Sequence, residues 1–182
     1  MTKDPRINRT RGKLLDAMTT LLSQKSFDDI TTIELVTMAK ISRSTFYTHY
    51  SDKYEMIDNV QQQLFNTIEY IFARSGADLH ATLVETFELI NDHPIYAALL
   101  SENGSKEIHQ FILQRLIRLL SDIRKTAKTR SLALGDLGDS YAPTFYAHAI
   151  LGTVQAWIQR KRRESPERLA DLFGVLISDV SS

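Results

Sequence analysis

The chain contains no cysteine among its 182 residues, which excludes disulfide frameworks, thiolate zinc sites and a cysteine nucleophile. A chain without thiols suits a reducing compartment. No apolar run approaches the roughly 18 residues a membrane-spanning helix needs. The opening Met1-Thr2-Lys3-Asp4-Pro5-Arg6 is too polar for a signal peptide, so a cytoplasmic location without membrane contact is expected. Excess charge of either sign is also lacking, with 22 basic against 22 acidic residues, and bulk composition therefore names no partner. There is no glycine-rich phosphate loop and no nucleophile elbow. The five histidines (His49, His80, His93, His109, His148) have no HExxH or comparable spacing for a metal. The paired acids Asp28-Asp29 precede a helix start, where acids belong electrostatically. Catalysis, a metal and a cofactor are all unexpected.

Only seven glycines and four prolines punctuate the chain, and the β-branched alternation of strands is nearly missing. Helical periodicity fills the space. Leu14, Ala17, Met18, Leu21 and Leu22 share one face of a first helix across about 9–24. Thr31-Thr32-Ile33-Glu34 has the form of a capping box opening a short helix that ends near Ala39. Ser42 caps a third helix, and Ser51-Asp52 a long fourth that runs to Ser75-Gly76. A fifth starts at Leu79 and ends at Asn91-Asp92-His93, because a residue before proline is pushed out of helical geometry. Residues 94–103 form a sixth, stopped at Asn103-Gly104. The seventh carries Ile108, Phe111, Ile112, Leu116, Leu119, Leu120 and Ile123. A polar connection over about 129–140 precedes two last helices, near 141–163 and 166–179, the latter capped by Ser165 before Pro166. The fold class is all-α: an N-terminal three-helix unit (1–53) and a larger helical bundle (54–182), joined through the fourth helix.

Function points to residues 31–53. Two short capped helices meet at a tight turn, Ala39-Lys40-Ile41-Ser42, with Leu35, Val36, Ile41 and Phe46 spaced to pack on the first helix. The outer face of the second then carries Arg43, Ser44, Thr45, Tyr47, Thr48 and His49. A helix meant only for solvent favours Glu, Lys and Ala; short hydroxyls, an arginine and an aromatic suit a DNA major groove. Arg43 can fork onto guanine and the Thr45 methyl can touch a thymine methyl. Tyr47 and His49 can hydrogen-bond phosphates, as can Thr31 at a helix N-terminus, and Thr32 and Ser42 are further candidate DNA contacts. Lys53 opens the fourth helix, where the helix dipole disfavours a cation, and a phosphate beside it would resolve the oddity. The first 13 residues hold Lys3, Arg6, Arg9, Arg11 and Lys13 against Asp4, a local net of +4. Such an arm is either a phosphate contact or a solvated tail.

The stretch Ile41-Ser42-Arg43-Ser44-Thr45-Phe46-Tyr47-Thr48-His49-Tyr50-Ser51-Asp52-Lys53 resembles the signature of the TetR family of bacterial transcriptional regulators, strongly over about 8–58. Its Thr-(Phe/Leu)-Tyr-x-His-Phe core precedes a lysine at the next helix start. The segment from His148 to Trp157, followed by Glu164-Ser165-Pro166-Glu167, is similar to the subgroup related to dihydroxyacetone-kinase regulators. One departure is Lys40, where the family usually has glycine; a left-handed lysine costs on the order of 1 kcal/mol.

The resemblance implies a repressor that binds a palindromic operator in double-stranded DNA as a homodimer and is released by a small-molecule effector. It places the dimer contact on the last two helices. Ala149, Gly152 and Ala156 offer a small-residue seam there, and Leu169, Leu172, Phe173, Leu176, Ile177 and Val180 an apolar face, unless both merely complete the core. It also implies an effector pocket among helices 4 to 8, with Phe65, Phe72, Phe87, Phe111, Tyr146, His148 and Trp157 as candidate walls or core. The basic run Arg160 to Arg163 either binds an anion or simply suits a helix C-terminus. The competing reading is a co-regulator of the same fold that acts through protein contacts with little DNA affinity.

Overall fold

The computed structural model describes residues 5–75, 78–104, 106–126 and 135–180. Lys3 and Gly76 lie outside them, as do the side chains of Arg6, Ile123, Ile177 and Val180. Among the described residues there are nine helices and no strand: α1 (Pro5–Leu22), α2 (Thr32–Met38), α3 (Arg43–His49), α4 (Lys53–Ser75), α5 (Leu79–Asp92), α6 (Pro94–Leu100), α7 (Lys106–Thr126), α8 (Gly135–Gln159) and α9 (Pro166–Val180). The all-α expectation holds.

The N-terminal unit closes around one aromatic. Phe46 is fully buried, among Leu14, Met18, Leu22, Leu35 and Val36, while Ile41 is only partly covered. The i, i+3, i+4 spacing of α1 sets that core, and its polar face stays wet. α6 packs on α1 and α5, so this short buried helix joins the small unit to the bundle. In the bundle α5 lies along α9, α7 along α8, and α4 against α5 and α7. His93 is extended (φ −117°) and Pro94 starts α6, as the proline restriction requires. The turn after α6 needs its glycine: a Cβ on Gly104 would sit 2.0 Å from the Leu99 carbonyl oxygen.

Three boundaries differ from the sequence reading. α1 starts at Pro5, so residues 5–13 are helical and not a loose tail; proline tolerates the first turn because its missing N–H has no helical partner there. α8 starts at Gly135, and its glycines and acids, which read as a connection, occupy early helical turns instead. It also stops at Gln159, ahead of the basic run. Trp157 explains that stop, because its indole N–H donates to the Glu164 carbonyl at 2.9 Å and the chain must reverse to bring it there.

The reversal is a Schellman turn. The Arg162 amide donates to the Trp157 carbonyl and the Lys161 amide to that of Ile158, with φ 58° at Lys161 and 53° at Arg162. Arg162 also donates to the Asn91 carbonyl at 2.9 Å, and Arg160 pairs with Glu164 at 2.7 Å. Two cations of the run are thereby spent on the fold. The α2–α3 turn repeats the motif: Ile41 N–H to Val36, Lys40 N–H to Thr37, and φ 53° at Lys40. A lysine in that region carries steric strain that glycine lacks. Lys40→Gly should therefore raise the unfolding free energy by about 0.5–1 kcal/mol, net of the extra freedom glycine gives the unfolded chain. Urea denaturation midpoints of the two proteins check this.

Candidate nucleic-acid interface

Local hydrogen bonds build the surface of α2 and α3. Thr31 is the N-cap of α2: its hydroxyl accepts the Glu34 amide at 3.2 Å, and the Glu34 carboxylate accepts the Thr31 amide at 2.9 Å. Lys25 reaches the same carboxylate at 2.5 Å. The Lys25 hydrogen bond first, then the Thr31 amide and hydroxyl, hold the Glu34 carboxyl down at about 2, against 4.5 for an unperturbed glutamate. At α3 the Ser42 hydroxyl accepts the Thr45 amide at 3.1 Å and lies 2.7 Å from the Thr45 hydroxyl and 2.9 Å from that of Ser44. The Thr48 hydroxyl donates to the Ser44 carbonyl at 2.9 Å. Two short helices are thus fixed at their starts.

Phe46 turns α3 so that one side is buried and the other is open. Thr31, Ser42, Arg43, Ser44, Tyr47 and Thr48 are exposed; Thr32, Thr45 and His49 are half-buried. Tyr47 rests edge-on against Phe46, centroids 5.4 Å apart, and remains 50% exposed. Among the described residues neither an acid nor a carbonyl engages the five donors of the Arg43 guanidinium. From the basic arm Arg9 and Lys13 are exposed, whereas Arg11 is half-buried, its guanidinium 5.9 Å from the Tyr50 ring centroid.

Lys53 requires a correction. Its side chain is buried, and Nζ donates to the carbonyls of Phe27 (2.7 Å), Asp28 (3.0 Å) and Ile30 (2.7 Å). An ammonium has three protons, and all three are committed. The unfavourable dipole at the start of α4 is offset from within, by the carbonyls of the α1–α2 loop, and Lys53 is withdrawn as a phosphate contact. Burial pushes its pKa down, opposed by the charges of Asp28 and Asp29.

Two family models match this sequence: "Bacterial regulatory proteins, tetR family" over residues 14–60 and "Transcriptional regulator C-terminal region", a TetR-type model, over 77–179. The chain belongs to the TetR family. As a TetR-family member it is a DNA-binding transcriptional regulator and not an enzyme. No curated protein matches it. Among solved structures, the TetR regulator of Streptococcus agalactiae is 20% identical, covers 97% of this chain and 98% of its own, and superposes with a TM-score of 0.66. The fatty acid degradation regulator FadR of Bacillus halodurans is 13% identical over 94% and 93%, TM-score 0.65. The dihydroxyacetone kinase operon activator DhaS is 20% identical over 93% and 95%, TM-score 0.59. These likenesses establish the TetR fold. No helix among the described residues is long and apolar enough to cross a membrane.

The seven effector candidates of this TetR chain do not share one cavity. Phe65, Phe72 and Phe87 line an apolar cavity of about 60 Å³ between α4, α5, α7 and α8. Phe111, 5.4 Å from Phe65 between centroids, faces a separate cleft, and Tyr146 lines a third space beside α9. His148 is exposed, with Nδ1 2.9 Å from the Thr144 carbonyl, and Trp157 is core at 2% exposure. Neither is a wall. Most of the cavity's surface is aliphatic, from residues such as Leu83, Ile90, Ile112 and Leu116, which a sequence cannot tell from ordinary core.

The capping box makes the recognition unit sensitive to acid. Because the folded carboxyl of Glu34 sits at about 2, below its unperturbed 4.5, its contribution is complete above 4.5 and is lost as pH falls towards 2. Hydrogen exchange of the α2 amides should accelerate over that interval beyond the intrinsic pH effect. Glu34→Gln should abolish the pH-dependent part and leave a constant, weaker protection.

Proposed function

We propose that this TetR-family chain is a repressor that reads a palindromic operator as a homodimer and lets go when a small apolar molecule enters its cavity. Residues 1–53 are its DNA-binding domain, and residues 54–182 bind ligand and partner. The observation that carries the reading is the open face of α3, where an unengaged Arg43 stands beside Ser44, Tyr47 and Thr48 on a helix anchored by buried Phe46. Arg43 and the Thr45 methyl read base edges. Tyr47, His49, Thr31, Thr32, Ser42, Ser44 and Thr48 meet phosphates, which fix register without carrying sequence. The turn forms with Lys40 in place, which is compatible with a helix pair that contacts DNA.

Apolar side chains left open on the last two helices support the dimer. Tyr141, Phe145, Leu172, Val175 and Leu176 are 45% to 68% exposed, and Ala149, Gly152 and Ala156 open beside them. Phe173 and Leu169 belong instead to the core, Phe173 lying 5.5 Å from Phe87 between ring centroids. A two-fold pair would present two α3 helices about one DNA turn, roughly 34–36 Å, apart or at multiples of it. An apolar effector follows from the cavity lining, where Thr86 is the one polar side chain and its hydroxyl is satisfied by the Thr82 carbonyl at 2.8 Å. α4 contributes Leu64, Phe65, Ile68 and Phe72 to that lining and begins at the DNA-binding unit, so it carries the coupling between the two sites.

Selection of bound sequences from random duplex DNA supplies the operator on which the roles are tested. Arg43→Ala should cost about 1–3 kcal/mol on that operator and relax preference at one base pair of each half-site. Tyr47→Phe should weaken every sequence alike. If Arg43→Ala weakened all single-base variants equally, the division between base and phosphate contacts would be wrong. For the dimer, Leu172→Glu with Leu176→Glu should give a folded monomer by sedimentation equilibrium, because both side chains are exposed in the single chain. A dimer that persisted would put the interface elsewhere.

A further inference from the structure

A second space lies apart from the apolar cavity, at the junction of the α1–α2 loop, the first half of α4 and the start of α7. This cleft, about 410 Å³, is lined by Phe27, Tyr54, Asp58, Gln61, Glu107 and Phe111 among others. Its chemistry is unlike that of the cavity. Three aromatic rings stand with two carboxylates, and no lysine or arginine side chain lines it. Asp58 and Glu107 are exposed and, among the described residues, neither has a cation within ion-pair distance. Gln61 is the decisive group: it is only 6% exposed, yet no hydrogen bond from a described residue reaches its amide. Its amide atoms are not among the fully buried unmet ones, so the amide keeps access to the cleft it lines and is open to a partner there.

The cleft is also preformed. The Phe27 amide donates to the Asn103 carbonyl at 2.7 Å, its own carbonyl accepts Lys53, and its ring meets Tyr54 edge-on at 5.3 Å. The Lys53 ammonium lies 4.7 Å from the Phe27 centroid and 5.2 Å from that of Tyr54, a fixed positive charge beside the cleft that a bound cation meets as repulsion, which leaves the attraction to Asp58 and Glu107. Because its three protons are bound to carbonyls, Lys53 leaves both lining carboxylates unneutralised.

We infer that this cleft is a second ligand site, selective for a small organic cation with an aromatic or aliphatic body. The ammonium lies between Asp58 and Glu107, the body lies against Tyr54 and Phe111, and the Gln61 amide accepts a hydrogen bond through its oxygen. This goes beyond the apolar effector proposed above and stands or falls separately, since its test needs no operator.

The probe is 2-phenylethylamine, titrated into the full-length protein by calorimetry, with 2-phenylethanol and 3-phenylpropanoate as neutral and anionic matches. The amine should bind at least about tenfold more tightly than the alcohol, and the carboxylate not measurably. Asp58→Asn with Glu107→Gln should erase that preference; both positions are exposed, so the variant folds. Gln61→Leu should weaken the amine about fivefold by removing the acceptor. Leu116→Phe, which fills the apolar cavity, should leave amine binding unchanged. Absence of amine binding, equal binding of the alcohol, a preference surviving the double substitution, or loss of binding in Leu116→Phe would each overturn the inference.

Discussion

The ammonium of Lys53 ties the DNA-binding unit to everything that follows it. A lysine in the first turn of a helix faces the positive end of the helix dipole, and burial adds a desolvation cost. Three carbonyls of the α1–α2 loop, at 2.7 to 3.0 Å, offset both. The Phe27 carbonyl also accepts the Ile30 amide at 3.2 Å, and the ammonium adds a second donor to it. The arrangement contributes geometry more than net stability, because bringing a charge indoors consumes much of what its hydrogen bonds return. What it fixes is the angle at which α4 leaves the small unit. Asn103 repeats the tie from the other side, its side chain donating to the Leu22 carbonyl and its own carbonyl accepting the Phe27 amide, both at 2.7 Å.

That rigidity bears on how a distant ligand acts on α3 under the proposed function. The first turn of α4 is clamped to the loop that precedes α2, and its middle lines the apolar cavity. A closely packed interior cannot absorb an inserted ligand by compression. Displacement of Leu64, Phe65 or Ile68 is then transmitted along a helix whose start cannot move without carrying residues 27–30 with it. α3 follows through the buried contacts of Phe46 and Tyr50. The cavity, about 60 Å³ when empty, is smaller than most bound organic molecules, so occupancy demands such a displacement.

Local chemistry was the readable part of the sequence. Thr31 with Glu34, Ser42 with Thr45, and the proline after His93 each act within a few residues, and the helices start or stop where those signals stand. Lys40 was legible for the same reason, since only a left-handed residue fits that turn. Lys53 was not, because its partners lie 23 to 26 positions upstream and carbonyls carry no side-chain signature. Trp157 misled similarly: an aromatic in a helix fits a ligand wall or a core equally, and its bond to the Glu164 carbonyl, which stops α8, is invisible to periodicity. The cavity was half-read. Its phenylalanines stood out, whereas its leucines and isoleucines have the spacing of any packed helix.

α9 shows how far an amphipathic pattern can be taken. Leu169, Leu172, Phe173 and Leu176 form one apolar stripe on paper, yet only Leu169 and Phe173 are buried, beneath α5, while Leu172 and Leu176 look outward. A stripe too wide for α5 alone leaves the remainder facing water, and Leu176 borders a space shared with Phe145 and Ala149 of α8. Contiguous apolar surface of that kind is uncommon on a protein that works alone. Ala149, Gly152 and Ala156 are exposed on α8, and a Cβ added at Gly152 meets nothing within 4 Å. On the dimer reading those small residues let two α8 helices approach closely, and the flanking aromatics and leucines close over the seam.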